Sequence, residues 1–335
     1  MVRFGIVGFG LHAVKRMMPA FTASKKCRVT ALARRDPAKA AESARQYNIP
    51  YGFTSVEELC RHPEVDVVFV TSPNSFHQAD VLTAINAGKP VLCEKPMAMN
   101  AGECRKMVDA ARGAKVLLGV AHVFRFEEST ARFREILAAG KVGRPIFARS
   151  EFCFQANAGG GHPRKWMKDK SVAGGGPLFD IGVHCIDTLR FILQDEVERV
   201  SARAVMERPP STIEESASLL LEFAGGTLAN VSVSFNGEYR TPIELIGQHG
   251  GVRADDALTV ERPVIIETKR GTHVEVETVS NELSYIRQVD AFADAVEGKA
   301  QFPAPGEEGW QNQEILDAAL RSIETGRTES VLRVR

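Results

Sequence analysis

At 335 residues, 44% hydrophobic and 25% charged, the chain can fill about two domains with buried cores and has an ordinary globular composition. Lysine plus arginine and aspartate plus glutamate balance at 42 each, so bulk charge offers no attraction for nucleic acid or an acidic membrane. The six cysteines, Cys27, Cys60, Cys93, Cys104, Cys153 and Cys185, are scattered without a CxxC pair, which excludes a zinc knuckle pattern and predicts reduced thiols.

The N-terminal run "MVRFGIVGFG" goes straight into a strand-like pattern without the basic, apolar and small regions of an export signal. No apolar stretch approaches the roughly 20 residues of a membrane span. A soluble, cytoplasmic protein is expected, with no nucleic-acid or membrane partner.

Over residues 1–123, short β-rich runs alternate with amphipathic helical stretches. The strands are "VRFGIVG", "CRVTALA", "VDVVFVTS", "PVLCE" and "KVLLGVAH". This alternation predicts a parallel sheet covered on both faces, with ligands bound beyond the carboxyl ends of its strands. The first strand ends in Gly8-Phe9-Gly10-Leu11-His12-Ala13, a GxGxxA form of the dinucleotide fingerprint. Gly8 permits the tight turn and Gly10 lets backbone approach a pyrophosphate at the positive end of the following helix.

About 20 residues on, an NAD site supplies an acid for the ribose 2′-hydroxyl. Here "TALARRDP" ends the second strand, with Arg34 in that place and Arg35 beside it, while Asp36 before Pro37 suits a helix cap. A guanidinium fork can bind a 2′-phosphate that a carboxylate would repel, so NADP is expected, with NAD as the alternative.

Residues 90–100, "PVLCEKPMAMN", carry an apolar strand pattern to Glu94, Lys95 and Pro96. Taken alone, this could be a surface ion pair of about 0–1 kcal/mol. From about residue 145 the pattern changes to successive strands without crossover helices: "RPIFARSEFCF", "VERVSARAVM", "SASLLLEFA", "TLANVSVSF", "TPIELIGQHG" and "THVEVETV". They predict antiparallel pairing, with "AGGT" as a hairpin turn. Between the first two of these runs stands "GGGPLFDIGVHCIDTLRFIL", where Asp180 and His184 are four apart on an expected helix and can share a face. Asp187 continues that face, a spacing that also suits a metal, but no HExxH-like motif accompanies it and no metal is expected.

"GFGLHA", "TSPNSFHQADVLTAINAGKPVLCEKPMAMN" and "GGGPLFDIGVHCIDTLRFIL" together resemble the Gfo/Idh/MocA oxidoreductases, the group containing glucose-fructose oxidoreductase and inositol dehydrogenase. The likeness extends to "LDAALRSIETGR" near the end. It implies an α/β protein: an N-terminal Rossmann dinucleotide-binding domain over 1–123, then an α+β substrate-binding and oligomerisation domain over 124–335 with a large open, mostly antiparallel sheet. A homodimer or homotetramer is implied too.

The resemblance also implies roles. Lys95 would touch nicotinamide ribose and substrate, Asp180 would position the substrate, and His184 would be the acid/base, with proton transfer shared between Lys95 and His184. Thr71, Pro73, Asn74 and His77 would lie along the cofactor with Gly8, Phe9, Gly10, Leu11, Arg34, Arg35 and Glu94. Arg125 and Trp166 are further substrate candidates, and His122 stands where the family often has asparagine. Arg164, Lys165 and Lys168 fit either an acidic substrate or a solvated loop face. The expected activity is hydride transfer between a nicotinamide and a secondary alcohol or carbonyl of a sugar, cyclitol or related polyol. The alternatives are a glycoside-cleaving enzyme that recycles bound NAD(P), and a non-catalytic NADP(H) sensor.

Overall fold

The computed structural model describes residues 1–156, 165–206, 212–260 and 262–334. The chain divides into two units: Met1–Ala121 with Tyr285–Trp310, and His122–Ser284 with Gln311–Arg335. This differs from a single cut near residue 123, because a late segment returns to the first unit. Phe292 and Phe302 meet edge to face at 5.0 Å, and Phe292 reaches Phe4 of the first strand at 6.4 Å. A Cβ on Gly119 would come within 2.8 Å of both of those phenylalanines, so this glycine makes room for them. Val120 N–H also donates to Ala304 O at 2.8 Å. No periodicity within residues 1–123 announces that these aromatic rings complete its core.

In the first unit, β1 (Val2–Val7), β2 (Cys27–Ala33), β3 (Tyr51–Phe53), β4 (Val67–Val70), β5 (Val91–Cys93) and β6 (Leu118–Val120) form a parallel sheet in the order β3-β2-β1-β4-β5-β6. Strand order reverses between β1 and β4, the switch point where such sheets bind ligands. β4 is buried along its whole length, as the run Val67–Val70 predicts for a strand covered on both faces. Side chains fix the helix starts. Asp36 accepts Lys39 N–H at 3.1 Å and opens Pro37–Gln46. Asn100 accepts Glu103 N–H at 3.0 Å while Glu103 accepts Met99 N–H at 3.1 Å, opening Ala101–Ala114.

The second unit carries β7 (Pro145–Gln155), β8 (Val197–Met206), β9 (Glu214–Phe223), β10 (Leu228–Ser234), β11 (Asn236–Arg240), β12 (Ile243–Gly247), β13 (Gly251–Ala254), β14 (Pro263–Arg270), β15 (His273–Ser280) and β16 (Glu329–Ser330). They form a mixed sheet in the order β15-β14-β13-β12-β7-β10-β9-β8-β16, with β11 also on β7. Only β10 and β7 run parallel; the other described pairs are antiparallel. The β9–β10 hairpin turns at Gly226, whose φ of +87° is easy only for glycine. Buried and more exposed residues alternate along β10, the signature of a sheet with one covered face. Among the described residues no helix is long and apolar enough to cross a membrane.

Candidate active site

The first unit brings the glycine turn and the Glu94-Lys95 turn to the carboxyl ends of its strands. Gly8 has φ +82°, and a Cβ there would lie 2.5 Å from Ser72 N, so any side chain would strike the backbone after β4. Thr71 Oγ1 donates to Gly8 O at 2.7 Å and holds that approach. Gly10 is exposed, and its missing Cβ would meet only Gly8 O at 3.8 Å. An open glycine before a helical segment fits a pyrophosphate. Phe9 points the other way: it is buried and meets Tyr47 edge to face at 5.3 Å, so its side chain serves the core. Leu11 is half-buried in the same turn.

Both arginines sit just past β2. Arg34 Nη1 donates to Ser43 Oγ at 2.7 Å, which fixes the guanidinium against the helix Pro37–Gln46. Arg35 is exposed, with its guanidinium carbon 4.7 Å above the Phe76 ring.

Pro73 and the buried Asn74 start the helix Asn74–Asn86. His77, expected along the cofactor, is buried. Its Nδ1 lies 3.0 Å from Pro96 O and its Nε2 2.7 Å from Ser72 O. Burial lowers its pKa, against the opposing pull of those two carbonyls. Both ring nitrogens face backbone carbonyls, so the neutral ring donates its one N–H to one of them, and His77 lies between the segment after β4 and the lysine turn.

The Lys95–Pro96 bond is cis. Glu94 N–H continues the sheet by donating to Val70 O at 2.9 Å. Its carboxylate Oε1 lies 2.9 Å from His12 Nε2, and Oε2 accepts Lys95 N–H at 3.2 Å. Burial opposes ionisation of Glu94, but His12 and Lys95 outweigh it and hold the carboxyl below its ordinary pKa. Glu94 thus joins the glycine turn to the lysine turn. His12 stood in the quoted motif but drew no role from its sequence position, since its partner is more than eighty residues away.

The second unit holds the Asp180–His184 segment. A regular helix was expected; instead Leu178–Gly182 is a π-helical turn leading into the α-helix Val183–Leu193. Single π turns of this kind gather at functional sites. Asp180 is half-buried, while His184 is buried with its ring 4.5 Å from Phe124 and 6.3 Å from Phe152.

Asp187 is buried within a polar network. It accepts from Arg125 Nη2 at 2.6 Å, Arg125 Nε at 2.9 Å and Asn312 Nδ2 at 2.7 Å, with His122 Nδ1 at 3.5 Å. Burial alone would raise its pKa, but the charges of Arg125 and His122 drive it well below the carboxylate range. The Arg125 side chain is only 3% exposed. Expected to meet substrate, it is instead engaged with Asp187, and the Asp187 of the metal spacing is an ion-pair partner. His122 shares the network through Asn312 at 3.0 Å. Trp166 is half-buried in a short 3₁₀ turn with Lys165 and Lys168. Arg164 and most of the glycine-rich stretch before it lie outside the described residues.

Comparison with known proteins follows these motifs. Residues 2–122 match the oxidoreductase family with NAD-binding Rossmann fold, and residues 130–253 match the GFO/IDH/MocA C-terminal domain. The chain is 33% identical over 334 residues to 1,5-anhydro-D-fructose reductase of Ensifer adhaerens, covering 99% of each protein. It is 31% identical to D-xylose 1-dehydrogenase (NADP(+)) 2 of Haloferax volcanii, over 96% of this chain and 98% of that one. The structure of aldose-aldose oxidoreductase from Caulobacter crescentus, complexed with glycerol, superposes with a TM-score of 0.90 at 25% identity, covering 98% of this chain and 99% of that one. With its nucleotide-binding and C-terminal domains both matched, the chain belongs to the Gfo/Idh/MocA oxidoreductase family.

Proposed function

We propose that the protein transfers a hydride between NADP and a secondary alcohol or carbonyl of a sugar, cyclitol or related polyol. The observation that carries this reading is Lys95 at the carboxyl end of a Rossmann strand, on a turn fixed by Glu94, His12 and His77. Gly8, Gly10, Leu11 and Thr71, with Pro73, Asn74 and Glu94, would hold the dinucleotide. Arg34 and Arg35 would hold its 2′-phosphate, a reading supported by the NADP(+) named for the Haloferax relative. When bound, the nicotinamide supplies or accepts the hydride.

The residues handle the rest of the charge. In the oxidative direction, the His184 imidazole would take the proton from the hydroxyl oxygen of the carbon being oxidised. In the reductive direction it returns that proton to the forming alkoxide. The Lys95 ammonium stabilises alkoxide character in the transition state, and Asp180 orients the hydroxyl. Trp166 is kept as a substrate-side candidate. Arg125 acts at one remove, through Asp187. The sugar-like substrate class rests on the relatives' names.

Assay of Lys95→Ala with NADPH and a panel of sugars and cyclitols tests the assignment. Loss of one charge-stabilising group should lower kcat about 10²–10³-fold. The fold should stay intact. Near-normal turnover by the variant would sink the mechanism.

Two broader features belong to the same proposal. The apolar open face of the second sheet supports a homodimer or homotetramer. Five of the six cysteines are buried and all are free thiols, which suits a cytoplasmic location.

A further inference from the structure

We infer that Glu214 is a positioning residue for the Asp180–His184 segment, a role that rests on the reaction proposed above. Glu214 opens β9 and is buried. One oxygen of its carboxylate, Oε1, accepts Gly176 N–H at 2.9 Å and Leu178 N–H at 3.0 Å. Pro177, between them, has no N–H to offer. A single acceptor 38 positions downstream thus satisfies both amides that the start of the π turn leaves without a helical partner.

The contact is built from both sides. A Cβ on Gly176 would collide with Glu214 O and lie 3.2 Å from Glu214 Cδ, so this position admits only glycine while the strand lies against it. Gly176 in turn accepts the N–H groups of Phe179 and Asp180, each at 3.1 Å. Glu214 therefore grips the peptides on either side of the one whose carbonyl accepts the Asp180 N–H, and the turn runs on into the helix bearing His184. A Gly-Gly-Gly-Pro run before a helical segment has the composition of an anion-binding turn. Here the amides of Gly176 and Leu178 are already taken by the protein's own carboxylate.

This makes acceptor geometry at Glu214 a determinant of the chemical step. Glu214→Gln keeps a carbonyl oxygen at the same reach, Glu214→Asp withdraws it by one methylene, and Glu214→Ala removes it. The expected order is a near-wild-type kcat for Glu214→Gln and a loss of tenfold or more for Glu214→Asp and Glu214→Ala. NADPH affinity should be unchanged throughout. Hydrogen exchange over residues 176–184 should quicken in the Asp and Ala variants and stay slow in Gln, whatever the substrate supplied.

Wild-type kcat and exchange in Glu214→Ala would overturn the inference, as would an equal loss of kcat in Gln and Asp. Where the Ala variant fails to fold, the Gln–Asp comparison decides. Lys95→Ala in the same assays keeps the two claims apart. Full turnover there strikes the reaction assignment, while the exchange ladder still judges whether Glu214 holds the segment.

Discussion

On the proposed NADP reading, cofactor choice turns on Arg34. Ser43 takes one guanidinium nitrogen and so fixes the direction of the fork, and a fork held in advance loses less entropy when a phosphate arrives. One charged hydrogen bond contributes about 1.5–3 kcal/mol, so the Arg34 contact should favour NADPH over NADH roughly tenfold to a hundredfold. Arg34→Asp should reverse the preference in paired fluorescence titrations. An unchanged ratio would mean that another group reads the 2′-position. The arginines stand out as phosphate candidates in the sequence because that reading rests on distance along the chain to the glycine turn. The parts played by His12 and His77 do not stand out, because each acts through a backbone or carboxylate group brought close only by folding. Histidine chemistry allows a ligand contact, a surface place or a buried bracket, and only burial and partners choose among them.

The elements show where pattern reading holds and where it stops. Long alternating or apolar runs marked most strands, since facing direction repeats every two residues and burial follows it. β3 escaped because three residues, Tyr51–Phe53, are too few to show a period. The π turn at Leu178–Gly182 escaped because residue spacing alone cannot separate it from a regular helix. Arg125 shows a related limit: residue spacing near a motif does not reveal the buried carboxylate that it pairs with. Asp187 joins three stretches, Val123–Phe126 through Arg125, its own helix, and the later helix through Asn312. Removing one partner of such a buried pair costs about 3–5 kcal/mol. Because its pKa is depressed in the folded protein, Asp187 contributes stability above the unfolded value of about 3.9 and loses it as pH falls below. Asp187→Asn should therefore be markedly weaker than wild type in urea at pH 7. The gap should narrow as pH drops from about 4 toward the depressed folded value. A gap independent of pH would show that the carboxylate charge is not what holds these stretches together.

At the scale of the whole molecule, the open face of the second sheet is the surface we propose for self-association. Phe147 of β7 pairs across the sheet with Leu228 of β10 on one side and Ile246 of β12 on the other. Phe147 is 52% exposed and Ile246 45%, with Leu220 on β9 and Ile265 on β14 also exposed. Register makes Phe147, Leu228 and Ile246 a contiguous row instead of scattered apolar residues, and rows of this kind mark association surfaces. Arg149 and Glu244, paired across β7 and β12, supply both signs of charge beside it. A surface carrying both signs can meet its own copy about a twofold axis with opposite charges facing. Complete burial of each large apolar side chain contributes about 1.5–3 kcal/mol, so a few on each copy outweigh much of the entropy lost on pairing. The wild-type protein should sediment at a multiple of its 36.6 kDa chain mass. Phe147→Asp combined with Ile246→Glu should give monomers that unfold at lower temperature yet bind NADPH with unchanged affinity, since both positions lie outside the Rossmann unit. A wild-type monomer at micromolar concentration would remove the second copy as the occupant of this face. An intact oligomer in the double variant would place the interface elsewhere.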